Sequence, residues 1–342
     1  MKVLSIESSC DETSAAVVVD SRDPQERILS NIINSQIQLH AKYGGVIPEY
    51  AARNHLDSID KAINDALEKA GVSLDDIDVV AATSGPGLIG GLLVGAVTAK
   101  TIALFANKPF MAINHLEAHL LTARLCYNTE FPYLLLLASG GHFIFVEVFG
   151  VGKYKILGET LDDAAGEAFD KVAKMLGFSY PGGPSIEKAA ISGDKNRFDF
   201  TVPLQRKAGC DVSFSGIKTA TKIHIQNLGD AITLQDKNDI AASFQNIVVT
   251  FIIKQLQKAY NLASSNIKNI VVAGGVAANS SLRENIHNFC DERSLNFYAP
   301  PLSLCSDNAA MIGWTAIERI NAGFGFSGFQ SKTKPRWPIT EI

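Results

Sequence analysis

Residues 3–20 read Val3-Leu4-Ser5-Ile6-Glu7, then Ser8-Ser9-Cys10-Asp11-Glu12-Thr13-Ser14, then Ala15-Ala16-Val17-Val18-Val19-Asp20. Two apolar runs of strand length around a polar stretch predict a β-hairpin, with hydroxyls, carboxylates and backbone N–H groups gathered at its tip. Taken alone, this reads equally as a surface hairpin. The pattern returns downstream as a strand over 133–137, the stretch Ala138-Ser139-Gly140-Gly141-His142, and a second strand over 143–148. Two copies of one supersecondary unit predict two similar halves. Pro132 marks the boundary, giving halves over 1–131 and 132–342. Gly140 and Gly141 carry no side chain to keep an anion from their N–H groups, and His142 reads as a cap of the hairpin.

Strands and helices alternate through the remainder, which predicts an α/β fold. A helix from Tyr50 to Ala70 stops at Gly71 and buries Ala51, Leu56, Ile59, Ala62, Ile63 and Ala66. A buried strand over 77–82 turns through Gly85-Pro86-Gly87-Leu88-Ile89-Gly90-Gly91 into a small-residue helix over 92–105. Its glycines let another helix, as at a subunit interface, or a phosphate approach closely. A third strand tip runs from 270–273 into Gly274-Gly275-Val276-Ala277-Ala278-Asn279 and a helix start, where a nucleoside can lie on backbone. Asp170, in the helical stretch beginning near Asp162, suits a ribose or an i,i+4 pair with Lys174. Ser213-Phe214-Ser215-Gly216-Ile217-Lys218-Thr219 is not a Walker A loop, because Ile217 separates Gly216 from Lys218.

Asn114-His115-Leu116-Glu117-Ala118-His119 puts two histidines one helical turn apart, so their rings can converge on one metal ion. Glu117 points roughly 200° around the helix from either histidine, which separates this HxxxH from the HExxH of metalloproteases. Asp307, ahead of an apolar helix, supplies a carboxylate as a third ligand or serves as that helix's N-cap. Two His and one Asp would leave coordination positions open.

The chain has 342 residues, 46% of them hydrophobic and 19% charged, which describes a folded globular protein long enough for two domains. The five cysteines include no CxxC pair and suit a reducing cytoplasm. No signal peptide or membrane span is read. A net charge of −4 excludes nucleic-acid binding by bulk charge, so such a partner needs a local patch. Candidates are Lys195, Arg197, Arg206 and Lys207, then Lys218 and Lys222, then Lys332, Lys334 and Arg336.

The stretches IESSCDETSAAVV, GGVIPEYAARNH, GPGLIGGLLVG, NHLEAH, ASGGH, AGEAFDKVAK, YPGGP, SFSGIKTA, GGVAANSSLR, SDNAAMI and KPRWP resemble one family over essentially the whole chain. It is the TsaD family, bacterial tRNA threonylcarbamoyladenosine transferases formerly described as glycoproteases. The first tip is also similar to the phosphate-holding tip of the actin, hexokinase and heat-shock ATPase superfamily, with Glu7 in place of the usual acid. The resemblance implies the actin-like ATPase (ASKHA) fold, two ribonuclease-H-like domains with a cleft between them. The last helix, about 308–322, is expected to pack back on the first half.

The implied reaction moves threonylcarbamoyl from threonylcarbamoyl-AMP to N6 of adenosine 37 in tRNAs reading ANN codons. His115, His119 and Asp307 match the family's ligands for one divalent metal, iron(II) or zinc. Ala138, Ser139, Gly140, Gly141, His142, Asp170, Gly183, Glu187 and Asn279 match positions that hold the adenylate. Ala138 stands where Val is common and Ala277 where Ser is common, and neither removes a needed functional group. Asp11 or Glu12 would accept the amine proton. The implied partners are TsaB, an actin-fold paralogue expected on the glycine-rich helix of 85–105, and TsaE, a small ATPase. Two other readings are a metalloprotease, which Glu117 opposes, and a non-catalytic ATP-binding scaffold with a structural metal.

Overall fold

β1 (Lys2–Glu7) pairs antiparallel with β2 (Glu12–Val19), from Lys2 opposite Val19 to Glu7 opposite Ser14. β2 starts earlier than its apolar residues suggest, because β3 (Ile28–Ser35) extends the ladder to Glu12 opposite Ser35. The computed structural model describes residues 1–201 and 208–342, so Arg206 and Lys207 lie outside the described residues. After α1 (Ile37–Ala41) comes α2 (Pro48–Ala70), which opens on a proline and stops at Gly71 with φ +65°. β4 (Val79–Gly85), α3 (Ile89–Phe105), β5 (Phe110–Asn114) and α4 (His115–Tyr127) complete the first run. The sheet order is β3-β2-β1-β4-β5, with β4 parallel to β1 and β5 parallel to β4.

The second run repeats this plan. β6 (Tyr133–Ala138) pairs antiparallel with β7 (Phe143–Gly150), and β8 (Lys153–Glu159) lies beyond β7. Then follow α5 (Ala165–Leu176), α6 (Gly182–Ala190), α7 (Ser215–Leu228), α8 (Leu234–Leu262), β9 (Asn269–Ala273), α9 (Ser280–Asp291) and β10 (Asn296–Tyr298). The order β10-β9-β6-β7-β8, with β9 parallel to β6 and β10 parallel to β9, reproduces the first sheet strand for strand. The duplicated hairpin legible in the sequence is therefore the nucleus of a duplicated five-stranded sheet.

Two compact units result. One holds Met1–Glu130, Gly150–Tyr154 and Pro300–Ile342; the other holds Phe131–Phe149 and Lys155–Ala299. The chain thus returns to the first unit twice instead of dividing once near Pro132. Tyr154 is tied there by its hydroxyl, which donates to Glu117 at 2.7 Å. The final helix, α10 (Ala309–Asn321), is pinned at its start: Ala309 N–H donates to Ser14 Oγ at 2.9 Å, and Ser5 Oγ donates to Ala309 O at 2.7 Å.

Alternation along β1 explains why helices cover both faces of the first sheet. Leu4 and Ile6 join Ile59, Ala62, Ile63 and Ala66 of α2 in the core, while Ser5 meets α10. The expected apolar face of α2 holds except at Leu56, which is 63% exposed; its neighbour His55 is buried instead.

In the second unit Asp162 caps α7 from outside the helix. Its carboxylate accepts from the N–H groups of Phe214 and Ser215 and from the Ser213 and Ser215 hydroxyls. Burial opposes its ionisation, yet these four donors hold its pKa below the ordinary value of 3.8. A depressed carboxyl stabilises the fold above its unfolded-state pKa, and that contribution is lost as pH falls through the folded value. Asp162→Asn keeps an acceptor but removes its charge, and is therefore expected to cost about 1 kcal/mol near pH 7, the difference between charge-assisted and neutral hydrogen bonds. Urea titrations should show the gap to wild type closing as the pH drops below 3.8; a gap that persists in acid would contradict this.

Among the described residues no helix is long and apolar enough to cross a membrane.

Candidate active site

Asn114 ends β5 and caps α4, its side chain accepting from the N–H groups of Leu116 and Glu117. That cap sets His115 in the first turn and His119 one turn on, with ring centroids 4.8 Å apart and planes at 90°. Asp307 arrives from 188 residues downstream, and its Oδ1 lies 3.0 Å from His119 Nε2 and 3.4 Å from His115 Nε2. Asp307 does not cap α10. Asn308 does, accepting from Met311 N–H at 3.1 Å, so the Asp307 carboxylate is left to face the histidines.

The ligand atoms of His115, His119 and Asp307 lie within 4.8 Å of one another. Metal bonds of about 2.0–2.2 Å need donors only a little closer than this, so the set fits a divalent ion. Its electrostatics point the same way. Burial works against a charged His115 ring, but Asp307 and Glu7 raise its pKa well above 6.5. Burial likewise opposes ionisation of Asp307, and the two histidines pull its pKa well below 3.8. These groups are arranged to hold a positive charge at their centre.

Glu117, the acid between the histidines, is buried and faces the other way. Arg319 donates to both of its oxygens, at 3.0 and 2.8 Å, and Tyr154 adds a third bond. A carboxylate so engaged is no hydrolytic base, as its place in the sequence implied. It joins α4 to α10 instead, beside the two bonds from Arg124 to Glu318 at 2.8 and 3.2 Å.

The first hairpin tip borders this cluster. Burial, then the charges of Asp307 and Asp11, raise the Glu12 carboxyl well above 4.5. The tip is locked by His55, which the sequence reading passed over. His55 Nε2 lies 3.1 Å from Cys10 O and Nδ1 lies 2.8 Å from Thr13 Oγ1. Burial lowers the His55 pKa, so the ring is neutral, donating to the carbonyl and accepting from the hydroxyl. Its only early signal was its place at the end of GGVIPEYAARNH.

The glycines of α3 also serve this tip. A Cβ on Gly91 would lie 2.2 Å from Ser8 O, and one on Gly95 would lie 2.1 Å from Ser8 Oγ. They pack within the first unit, which corrects the reading of this glycine face as a subunit contact. The outward face of α3 carries Ile89, Leu93, Val97, Leu104 and Phe105, the last 87% exposed.

The second unit gathers the remaining sequence-derived positions. Ser139 closes the tip, its N–H donating to His142 O at 2.8 Å and its Oγ accepting from His142 N–H at 3.1 Å. Around Gly140, Gly141 and Gly183 an added Cβ would meet nothing within 4 Å, so the side-chain face of each is free of protein atoms, while the Gly140 backbone packs against Gly166. Gly274, at φ +89°, packs under the tip, since a Cβ there would lie 2.5 Å from Ala138 O. Asp170 Oδ1 accepts from Gly182 N–H at 2.7 Å at the start of α6. Glu187 accepts from Ser280 N–H at 2.7 Å. Asn279 caps α9, accepting from Leu282 N–H, and donates to Gln245 at 2.9 Å. Of the basic candidates, Arg197 is bound to Asp236 and Asp239, and Lys218 to Asp163.

Two matching sheets of order 3-2-1-4-5, each with a polar strand tip, define a protein of the actin-like ATPase fold class. Full-length HypF in its phosphate- and nucleotide-bound form superposes at TM-score 0.61 and 13% identity, over 95% of this chain and 47% of that one. The activator of the 2-hydroxyisocaproyl-CoA dehydratase from Clostridium difficile superposes at 0.52 and 12% identity, over 94% and 97%. At such identities the likeness concerns fold alone. Within that class the chain belongs to the TsaD family, tRNA N6-adenosine threonylcarbamoyltransferases, whose model matches residues 27–314. Proteins of that name from Rhizobium meliloti (strain 1021) and Paramagnetospirillum magneticum (strain AMB-1) are each 51% identical to it, over 99% of this chain and 95% and 97% of theirs.

Proposed function

We propose that this acyltransferase moves the threonylcarbamoyl group from L-threonylcarbamoyl-AMP to N6 of adenosine 37 in tRNAs reading ANN codons. The observation that carries the reading is the convergence of His115, His119 and Asp307 in a chain 51% identical to transferases of that name. The donor is a mixed anhydride and already activated, so the chain has mainly to position it and the adenine amine. The N6 nitrogen bonds to the carbamoyl carbon, the bond from that carbon to the phosphate oxygen breaks, and AMP leaves with the electron pair. The amine gives up one proton.

In this reading the N–H groups of Gly140 and Gly141 receive the phosphate, with Ala138, Ser139 and His142 shaping the tip. Asp170, Gly183, Glu187 and Asn279 hold the rest of the adenylate. Asp11 or Glu12 takes the amine proton; a buried carboxyl with a raised pKa is the stronger base once ionised. His115, His119 and Asp307 hold one divalent ion per chain, iron(II) or zinc, which when bound supplies Lewis-acid polarisation. Three donors suit this better than a structural site, which four protein ligands close.

The test is nucleoside analysis of tRNA after incubation with threonylcarbamoyl-AMP, TsaB and TsaE. The modified nucleoside should form at position 37 with an equal amount of AMP, and tRNA carrying guanosine there should stay unmodified. Modification of the guanosine-37 tRNA, or none of the natural one, would contradict the assignment.

TsaB belongs to this proposal as the partner of the apolar face of α3. Leu93 and Val97 stand one turn apart and are 46% and 56% exposed. Val97→Asp is expected to weaken the heterodimer about tenfold or more while leaving zinc affinity unchanged. Calorimetry with TsaB reads the first and chelator competition the second; an unchanged heterodimer would remove α3 from the interface.

A further inference from the structure

Glu7 closes β1 and is fully buried. Burying a carboxylate is costly unless its oxygens are satisfied, and each of these has a defined partner. Oε1 accepts from Ser9 N–H at 2.6 Å. Oε2 accepts from the Thr83 hydroxyl on β4 and lies 3.1 Å from His115 Nδ1. The acid of the first tip is thus turned to a histidine and not to a phosphate.

An ionised carboxylate only accepts hydrogen bonds, so the His115 nitrogen facing it must carry the proton. In the neutral ring that a metal ion binds, the lone pair is then on the other nitrogen, Nε2, which lies 3.4 Å from Asp307 Oδ1. The geometry points to Glu7 as a positioning residue that keeps the His115 proton on Nδ1 and presents Nε2 to the divalent ion. This rests on the reading of His115 as a ligand. Ser9 Oγ, at 3.3 Å from the same Nδ1, is a longer and uncharged alternative. Two strands hold the carboxylate in place, Ser9 N–H following β1 and Thr83 on β4, so it cannot turn from the ring without breaking both bonds.

The arrangement makes Glu7→Gln an informative change. Ser9 N–H can only donate, so the amide oxygen must take the Oε1 position and the amide NH2 must face His115 Nδ1. Nδ1 then has to accept, the ring proton moves to Nε2, and the nitrogen needed by the ion is blocked. Glu7→Ala imposes no such reversal and leaves the ring free to choose its tautomer.

The test is affinity for zinc by competition with a chromophoric chelator, together with nitrogen-15 spectra of the histidine rings. Glu7→Gln is expected to bind zinc about 10- to 100-fold more weakly than wild type, the usual effect of losing a partner behind a ligand. Glu7→Ala should lose less than Glu7→Gln, and Ser9→Ala should stay near wild type. In zinc-loaded wild type, His115 should carry its proton on Nδ1. Wild-type affinity in Glu7→Gln, or a wild-type His115 protonated on Nε2, overturns the assignment; the second observation does not depend on any variant folding. His115→Ala separates the two claims. If it also binds zinc like wild type, the metal reading has failed, whereas loss there with none in Glu7→Gln removes the positioning role alone.

Discussion

His119→Ala is expected to weaken zinc or iron(II) binding by well over about 100-fold, beyond what the loss of a supporting residue costs. His119 Nε2 makes the closer of the two histidine approaches to Asp307, 3.0 Å against 3.4 Å, so its removal takes a donor from the centre of the set. The fold should survive. α4 remains capped by Asn114 and clamped to α10 through Glu117–Arg319 and Arg124–Glu318, none of which involves His119. Calorimetry under anaerobic conditions reads the affinity, and the thermal midpoint reads the fold. An unchanged metal affinity would remove the cluster from metal chemistry.

Gly91→Ala is expected to be among the most destabilising single-methyl changes in the chain. Alanine is the better helix former by about 1 kcal/mol, so on propensity alone the change should help. Its Cβ, however, would lie 2.2 Å from Ser8 O and 3.0 Å from His55 Nε2. Ser8 O is backbone and cannot rotate aside. Moving it also disturbs Ser9, whose N–H holds Glu7. A net loss of up to about 2 kcal/mol is expected, because overpacked cores cost about 1–3 kcal/mol and the propensity gain offsets about 1 kcal/mol of it. Gly216→Ala is the control, because nothing lies within 4 Å of its Cβ in α7 and propensity should act unopposed. Urea midpoints of the two variants should move in opposite directions; a Gly91→Ala chain as stable as wild type would sink this account of α3.

What the sequence showed and what it hid follow from the range of the interactions. The hairpin tips, the glycine that ends α2 and the HxxxH spacing are local patterns, and the structure reproduces them with ends shifted by a few residues. Relations across the chain were hidden. From the residues alone Asp307 reads first as a helix cap, because the better cap, Asn308, is its neighbour; the structure gives the cap to Asn308 and pins the start of α10 on Ser5 and Ser14. Glu7 read as the acid of a phosphate tip because nothing local reveals that Thr83 and His115 face it. The α3 glycines suggested a neighbouring helix, which is what such residues permit; the neighbour is the tip backbone 83 positions away from Gly91. On α2, helical periodicity alone did not tell exposed Leu56 from buried His55, because a histidine is buried for its hydrogen bonds and not for its hydropathy.

The central claim is a transfer reaction that depends on the His–His–Asp cluster. It is tested most directly by following labelled threonylcarbamoyl from threonylcarbamoyl-AMP to unmodified tRNA, with TsaB and TsaE supplied, for wild type and for His115→Ala combined with His119→Ala. Label should enter tRNA with wild type and not with the double variant. Transfer that survives the loss of both histidines would contradict the claim.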